Sequence, residues 1–193
     1  MYDFGIQAAR LMLSWVMILA AWLLHSIRLA AALGMALLVM QAPAVTREYE
    51  AALLQLVRSS EHEIAERKAS VQRFYGIAPE EEDYRFLTEL RAVEPSNAET
   101  LAAALEREHS LRQSYDRIEH ASALFRPIVA AEDVAGDESG PRRQIARTVL
   151  DSFAPQLDLS FAAAVYGLIG LFFGSLIGEL LTAALLPRHR LAR

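Results

Sequence analysis

Two blocks of the chain, Leu11–Val45 and Leu159–Leu186, are almost free of charge, and the stretch between them, Thr46–Asp158, is dense with it. A helix needs roughly 20 apolar residues to cross a hydrocarbon core about 30 Å thick. The second block meets that length with one acidic exception, Glu179, and the first exceeds it. The pattern predicts an all-α chain: a two-helix transmembrane hairpin with an inserted helical, antiparallel coiled-coil-like extracytoplasmic domain.

A single helix over Leu11–Val45 would be about 52 Å long, more than a bilayer core accommodates even with tilt. Arg28 resolves this by marking the inner edge of a first span over about residues 24–43, with Pro43 near the outer surface. Residues 1–23 then form an interfacial or partner-packed helix, continuous with the span or kinked from it. Asp3, Gln7, Arg10, Ser14, His25 and Arg28 fall on one stripe at helical steps, with Ala21 in phase. Two other readings compete. Translation could begin at Met12 or Met17, or Ala42-Pro43-Ala44 could close a signal peptide, although its 28-residue hydrophobic n-region would be abnormal.

Arg188, Arg190 and Arg193 follow the second block directly. Arginine beside a span stays on the cytoplasmic side. Both termini are therefore expected in the cytoplasm, with residues 44–157 as a periplasmic domain, 158–187 as the second span and 188–193 as a basic tail.

Gly170, Gly174 and Gly178 make G-x-x-x-G-x-x-x-G, a helix face without side chains that lets another backbone approach closely. Ala30-x-x-x-Gly34 in the first span offers a matching surface, in the same chain or in a second copy. Glu179 is costly within a span, about 2.5–3.5 kcal/mol on insertion scales, and so calls for a partner. Arg28 has the reach and the depth for an intramembrane Arg28–Glu179 ion pair. A proton or ion relay through Glu179 and His25 is the functional alternative.

In the charged stretch, Val45, Tyr49, Leu53, Leu56, Ser60, Ile64, Val71 and Phe74 recur at helical steps and predict a helix from Pro43 to Phe74. Gly76 suits its stop, and Pro79 with Glu80–Glu82 suits a new first turn leading to a short helix through Val93. After Pro95, a helix over about residues 98–125 carries Leu101, Leu105, Glu108, Leu111, Tyr115, Ile118, Ser122 and Phe125. The two long helices should pack antiparallel. Ala131–Pro141 is expected to be a flexible loop, and "RRQIARTVLDSF" a last amphipathic helix.

Composition narrows the chemistry. Of 193 residues, 53% are hydrophobic and 22% charged, and the formal charge is -5. Thr46–Asp158 holds 14 Arg and Lys against 22 Asp and Glu. An acidic domain without a basic stripe argues against nucleic acid. With no cysteine there is no disulfide and no thiolate metal site. Glu106-x-x-His109 is half of a di-iron pattern whose second half is missing. Glu61-His62-Glu63 puts neighbouring side chains on different helix faces. No hydrolase, metalloprotease or phosphate-loop motif occurs. No catalytic residue, metal ligand or cofactor site is expected.

The run "IRLAAALGMALLVMQAPAVTREYE", then "SVQRFYG", then "LDSFAPQLDLSFAAAVYGLIGLFFG", resembles an uncharacterised bacterial family of two-span inner-membrane proteins, domain of unknown function 2937. The resemblance covers about Ile27 to Leu186; the extended N-terminus departs from it. It implies an inner-membrane hairpin with a periplasmic helical insert, and no activity. The expected function is a non-enzymatic scaffold or accessory subunit whose partners are the lipid bilayer and a membrane or periplasmic protein, with a homo-oligomer as a further option. The alternative is a small oligomeric ion-conducting or transport accessory protein.

Overall fold

A computed structural model describes residues 3–78, 83–137, 140–155 and 160–185, with side chains from 21 to 184 within these and those of Trp15, Ile18 and Leu19. The described residues are helical, without a strand. The chain divides into two compact units, one made of Met1–Ala42 with Gln156–Arg193, the other of Pro43–Pro155.

The first unit contains α1, Asp3–Met40, and α7, Phe161–Leu185. α1 runs unbroken from Asp3, so residues 3–23 continue the helix that carries the first apolar stretch. At 38 residues it is about 57 Å long. Two stretches are long and apolar enough to cross a membrane, one within Ala21–Tyr75 and one in Phe161–Ala184. Only 6% and 28% of these apolar windows are buried, and Trp22, Leu38, Phe172 and Leu180 lie open.

The second unit holds α2 (Ala42–Tyr75), α3 (Asp83–Val93), α4 (Pro95–His120), α5 (Arg126–Ala135) and α6 (Pro141–Ser152). Gly76 ends α2 with φ of 71°, a left-handed conformation open to glycine, and its N–H returns to the Gln72 carbonyl at 3.0 Å. The first turn expected at Pro79–Glu82 lies outside the described residues.

Two aliphatic cores line α2. Tyr49, Leu53 and Val57 pack with Leu111 and Ile118 of α4, Ala130 of α5, and Ile145 and Val149 of α6. Farther along, Ile64 and Val71 pack with Phe86 and Leu90 of α3 and Ala98 and Leu101 of α4. Rising numbers on α2 meet falling numbers on α4, so these helices run antiparallel.

Three expectations need correction. Val57, not Leu56, faces the core, and Phe74 and Phe125 are exposed. α4 ends at His120, where Ala121 turns extended at φ -68°, ψ 146°. The chain restarts as α5, with Pro127 in the first turn, where its missing N–H has no helical partner to lose. Arg126 closes the break: its Nε donates to the Ala121 carbonyl at 3.1 Å and its Nη2 to the Glu119 carbonyl at 2.8 Å, serving carbonyls that the ended helix leaves open. Half of the expected loop Ala131–Pro141 is therefore helix.

Candidate functional site

Within the first unit, the glycines of α7 lie directly on the backbone of α1. A Cβ added to Gly170 would sit 2.6 Å from the Met35 carbonyl oxygen and 2.8 Å from Ala36 Cα. At Gly174 it would sit 2.7 Å from both the Ala31 oxygen and Ala32 Cα, and at Gly178 3.0 Å from Arg28 Cα. Only a hydrogen fits at Gly170 and Gly174, because the atoms in the way are backbone. Gly167 is looser, meeting Met40 Cβ at 3.8 Å. The falling α1 numbers make the pair antiparallel. Ala163 and Thr182 extend this buried α7 face at its two ends.

The α1 side differs from the expected one. Ala30 is exposed, and a Cβ on exposed Gly34 would meet nothing within 4 Å. The contact instead uses Arg28, Ala31, Ala32, Met35 and Ala36. Residues 30, 31 and 32 are all alanine, so composition left the facing position ambiguous, and one position is a 100° rotation.

The expected Arg28–Glu179 ion pair is absent among the described residues. Arg28 Nε donates to Thr182 Oγ1 at 2.9 Å, and that hydroxyl donates to the Glu179 backbone carbonyl at 3.0 Å. Thr182 is buried, whereas Glu179 is exposed. The reason is helical phase: Gly178 faces α1, so Glu179 is turned 100° away. His25 is exposed on α1. Arg188, Arg190 and Arg193 lie outside the described residues.

The second unit contains a polar centre that pattern reading missed. Asp133 of α5 is 4% exposed. Its Oδ2 accepts from the Tyr49 hydroxyl of α2 at 2.9 Å. Its Oδ1 accepts from Ser114 Oγ at 2.9 Å, from Arg142 Nη1 at 3.0 Å, and from Arg117 Nη2. Arg142 Nη1 also donates to Ser114 Oγ at 3.0 Å. Four helices therefore converge on one carboxylate. Two guanidinium groups and two hydroxyls offset the cost of burying it. Burial, then the adjacent Asp133 charge and its hydrogen bond, push the Tyr49 hydroxyl far above the ordinary tyrosine range, so it stays a proton donor.

Asp137 completes the arrangement. Its Oδ2 accepts the backbone N–H groups of Arg142 at 2.8 Å and Arg143 at 3.3 Å, capping α6 from outside. A Cβ on Gly140 would collide with that carboxylate. These contacts hold helices together; each donor and acceptor named is already engaged. One signal pointed to Asp133: it falls on the apolar stripe of Val129, Ala130 and Val134, where a carboxylate must find partners.

A shallow groove of about 470 Å³ is lined by Glu63, Glu66, Arg67, Ser70, Phe74 and Asn97, among others. The histidine motifs are solvated: His62 pairs with Glu66 at 3.3 Å, Glu63 with Arg67 at 2.7 Å, and Glu106 and His109 are exposed. Among the described residues, no three His, Asp or Glu side chains form a group able to hold a metal.

The sequence model of the family described as "Protein of unknown function (DUF2937)" matches residues 23–191. The chain belongs to the DUF2937 family. Comparison with curated proteins and with solved structures gives no match. The family match takes in α1 from Leu23 onward, the whole of the second unit and α7, and leaves the first 22 residues outside it.

Proposed function

We propose that this DUF2937 member is a non-enzymatic integral protein of the bacterial inner membrane, with both termini in the cytoplasm and the α2–α6 unit in the periplasm. That unit serves as a scaffold or accessory subunit that docks a protein partner. The observation that carries the reading is the uncovered apolar surface of α1 and α7. A core helix of a water-soluble protein is mostly buried, and here the apolar windows are 6% and 28% buried. Lipid is the solvent that tolerates such a surface. The arginines at 188, 190 and 193 support the orientation. Phe74 and Tyr84 support the docking role, because each is about four-fifths exposed on the second unit (81% and 80%).

Reporter fusions at Glu81 and Arg193, with alkaline extraction of membranes, test this. Opposite sides and retention in the pellet are expected; the same side, or release into the supernatant, overturns the reading. Co-purification from nanodiscs should lose a specific partner when Phe74 and Tyr84 are both changed to Ser. A second reading, ion conduction by an assembly of hairpins, draws on the lone carboxylate of Glu179. It requires flux through reconstituted vesicles that Glu179→Gln abolishes.

A further inference from the structure

We infer that two copies of this chain associate in the membrane through reciprocal ion pairs, Arg28 of each copy with Glu179 of the other. The inference rests on the membrane reading above. Gly178 packs on Arg28, with a Cβ placed there 3.0 Å from Arg28 Cα. Glu179 is the next residue, about 1.5 Å along the helix axis. Both charges therefore stand at one level of the hairpin.

Neither charge is neutralised among the described residues. Among the described residues no carboxylate meets the Arg28 guanidinium, whose Nε donates to Thr182 Oγ1. The Glu179 carboxylate makes no hydrogen bond or ion pair among them, and it is exposed on α7 beside Phe172 and Ser175. An exposed carboxylate on an apolar helix in lipid calls for a cation at its own depth.

A second copy carries that cation at the matching depth. Two copies inserted the same way are related by a two-fold axis along the membrane normal, and that operation leaves every depth unchanged. Arg28 of one copy therefore meets the level of Glu179 in the other, and the reverse, in an isologous contact. A foreign partner would have to bring one charge of each sign at one level. The glycine face is already occupied by α1, so the contact uses the outer face of α7 near Ser175 and Glu179.

The chain has no cysteine, so Ser175→Cys, one turn before Glu179, gives a single thiol for cross-linking the full-length protein in native membranes. A cross-linked pair of identical chains is expected. R28Q and E179Q should each lower its yield at least tenfold. Co-expression of an R28Q chain and an E179Q chain with different tags should restore a mixed pair, which retains one of the two ion pairs. An ion pair within one chain cannot be rescued this way. Cross-linking indifferent to both substitutions, a failed rescue, or capture of a different protein overturns the inference. Alkaline extraction of the same membranes separates the two levels. Release of the chain defeats the membrane reading as well; retention without a cross-link defeats the pairing alone.

Discussion

α7 and α2 are built inside out with respect to each other. On α7 the inward face is Gly170, Gly174 and Gly178, while Phe172, Phe173, Leu176 and Leu180 point outward. On α2 the inward face is Tyr49, Leu53, Val57, Ile64 and Val71, and the outward face is charged. On the membrane reading proposed above, each arrangement follows from the solvent it suits. In water, every apolar Å² removed is worth about 25 cal/mol, so large side chains turn in. Lipid tails are as apolar as leucine, so helices there gain from close backbone approach, and small residues turn in. The treatment of charge divides the same way. Asp133 is buried with four donors around it, whereas Arg28 and Glu179 stay on the hairpin's surface.

The sharpest way to break this contrast is Asp133→Ala. Removing the carboxylate takes the common acceptor from the Tyr49 hydroxyl, Ser114 and part-buried Arg142, at about 1.5–3 kcal/mol for each hydrogen bond to a charged group, while half-exposed Arg117 returns to water. Hydrogen exchange on the full chain in micelles should show α2, α4, α5 and α6 losing protection together. Unchanged protection would mean that the aliphatic cores alone hold the unit.

The hairpin gives the next largest effect. M40C with G167C should form a disulfide, because a Cβ on Gly167 lies 3.8 Å from Met40 Cβ, the usual separation across such a bridge. Adding Gly174→Leu should prevent it, at a cost of about 1–3 kcal/mol or more for overpacking against backbone. Gly34→Leu should leave the bridge intact, since nothing lies within 4 Å of that position. If both leucines were tolerated alike, close approach would not be what joins α1 to α7.

These two experiments probe features that were unequally legible. The apolar blocks and the bare glycine face could be read directly, because long apolar runs and a four-residue glycine spacing are local patterns that need no tertiary information. The face of α1 could not, since Ala30, Ala31 and Ala32 are chemically identical and only the partner's position selects among them. The break at Ala121–Phe125 was hidden because Ser122 and Phe125 continued the helical spacing of Ile118. Arg126 closes that break through hydrogen bonds to carbonyls, which no hydrophobic pattern records. Asp133 falls in an expected loop because Glu132, Asp137, Glu138 and Gly140 make the neighbourhood look solvated. Its partners lie 84, 19 and 16 residues earlier and 9 later, and only tertiary packing brings them together.

A smaller effect tests the polar side of the comparison at Glu50. Its Oε1 is buried without a hydrogen-bond partner among the described residues, and Arg126 approaches the other oxygen only to 3.7 Å. Burial raises the Glu50 pKa above the ordinary carboxylate value, against the opposing pull of Arg126 and with Glu119 adding to the rise. The folded unit therefore binds this proton more readily than the unfolded chain. This group's contribution to stability falls as pH climbs from the ordinary carboxylate pKa through the raised one, and stays lower above it. Glu50→Gln removes the titration. It should stabilise the α2–α6 unit at pH 7 by a fraction of the 1–3 kcal/mol that a buried unsatisfied polar group costs, and give no gain near pH 3.5, where the native carboxyl is already neutral. Exchange rates of α2 amides at the two pH values measure this. A Gln variant less stable at pH 7 than at pH 3.5, relative to the native chain, would show that the distant Arg126 contact outweighs desolvation. The unit would then tolerate a poorly paired charge where the aliphatic cores leave it room.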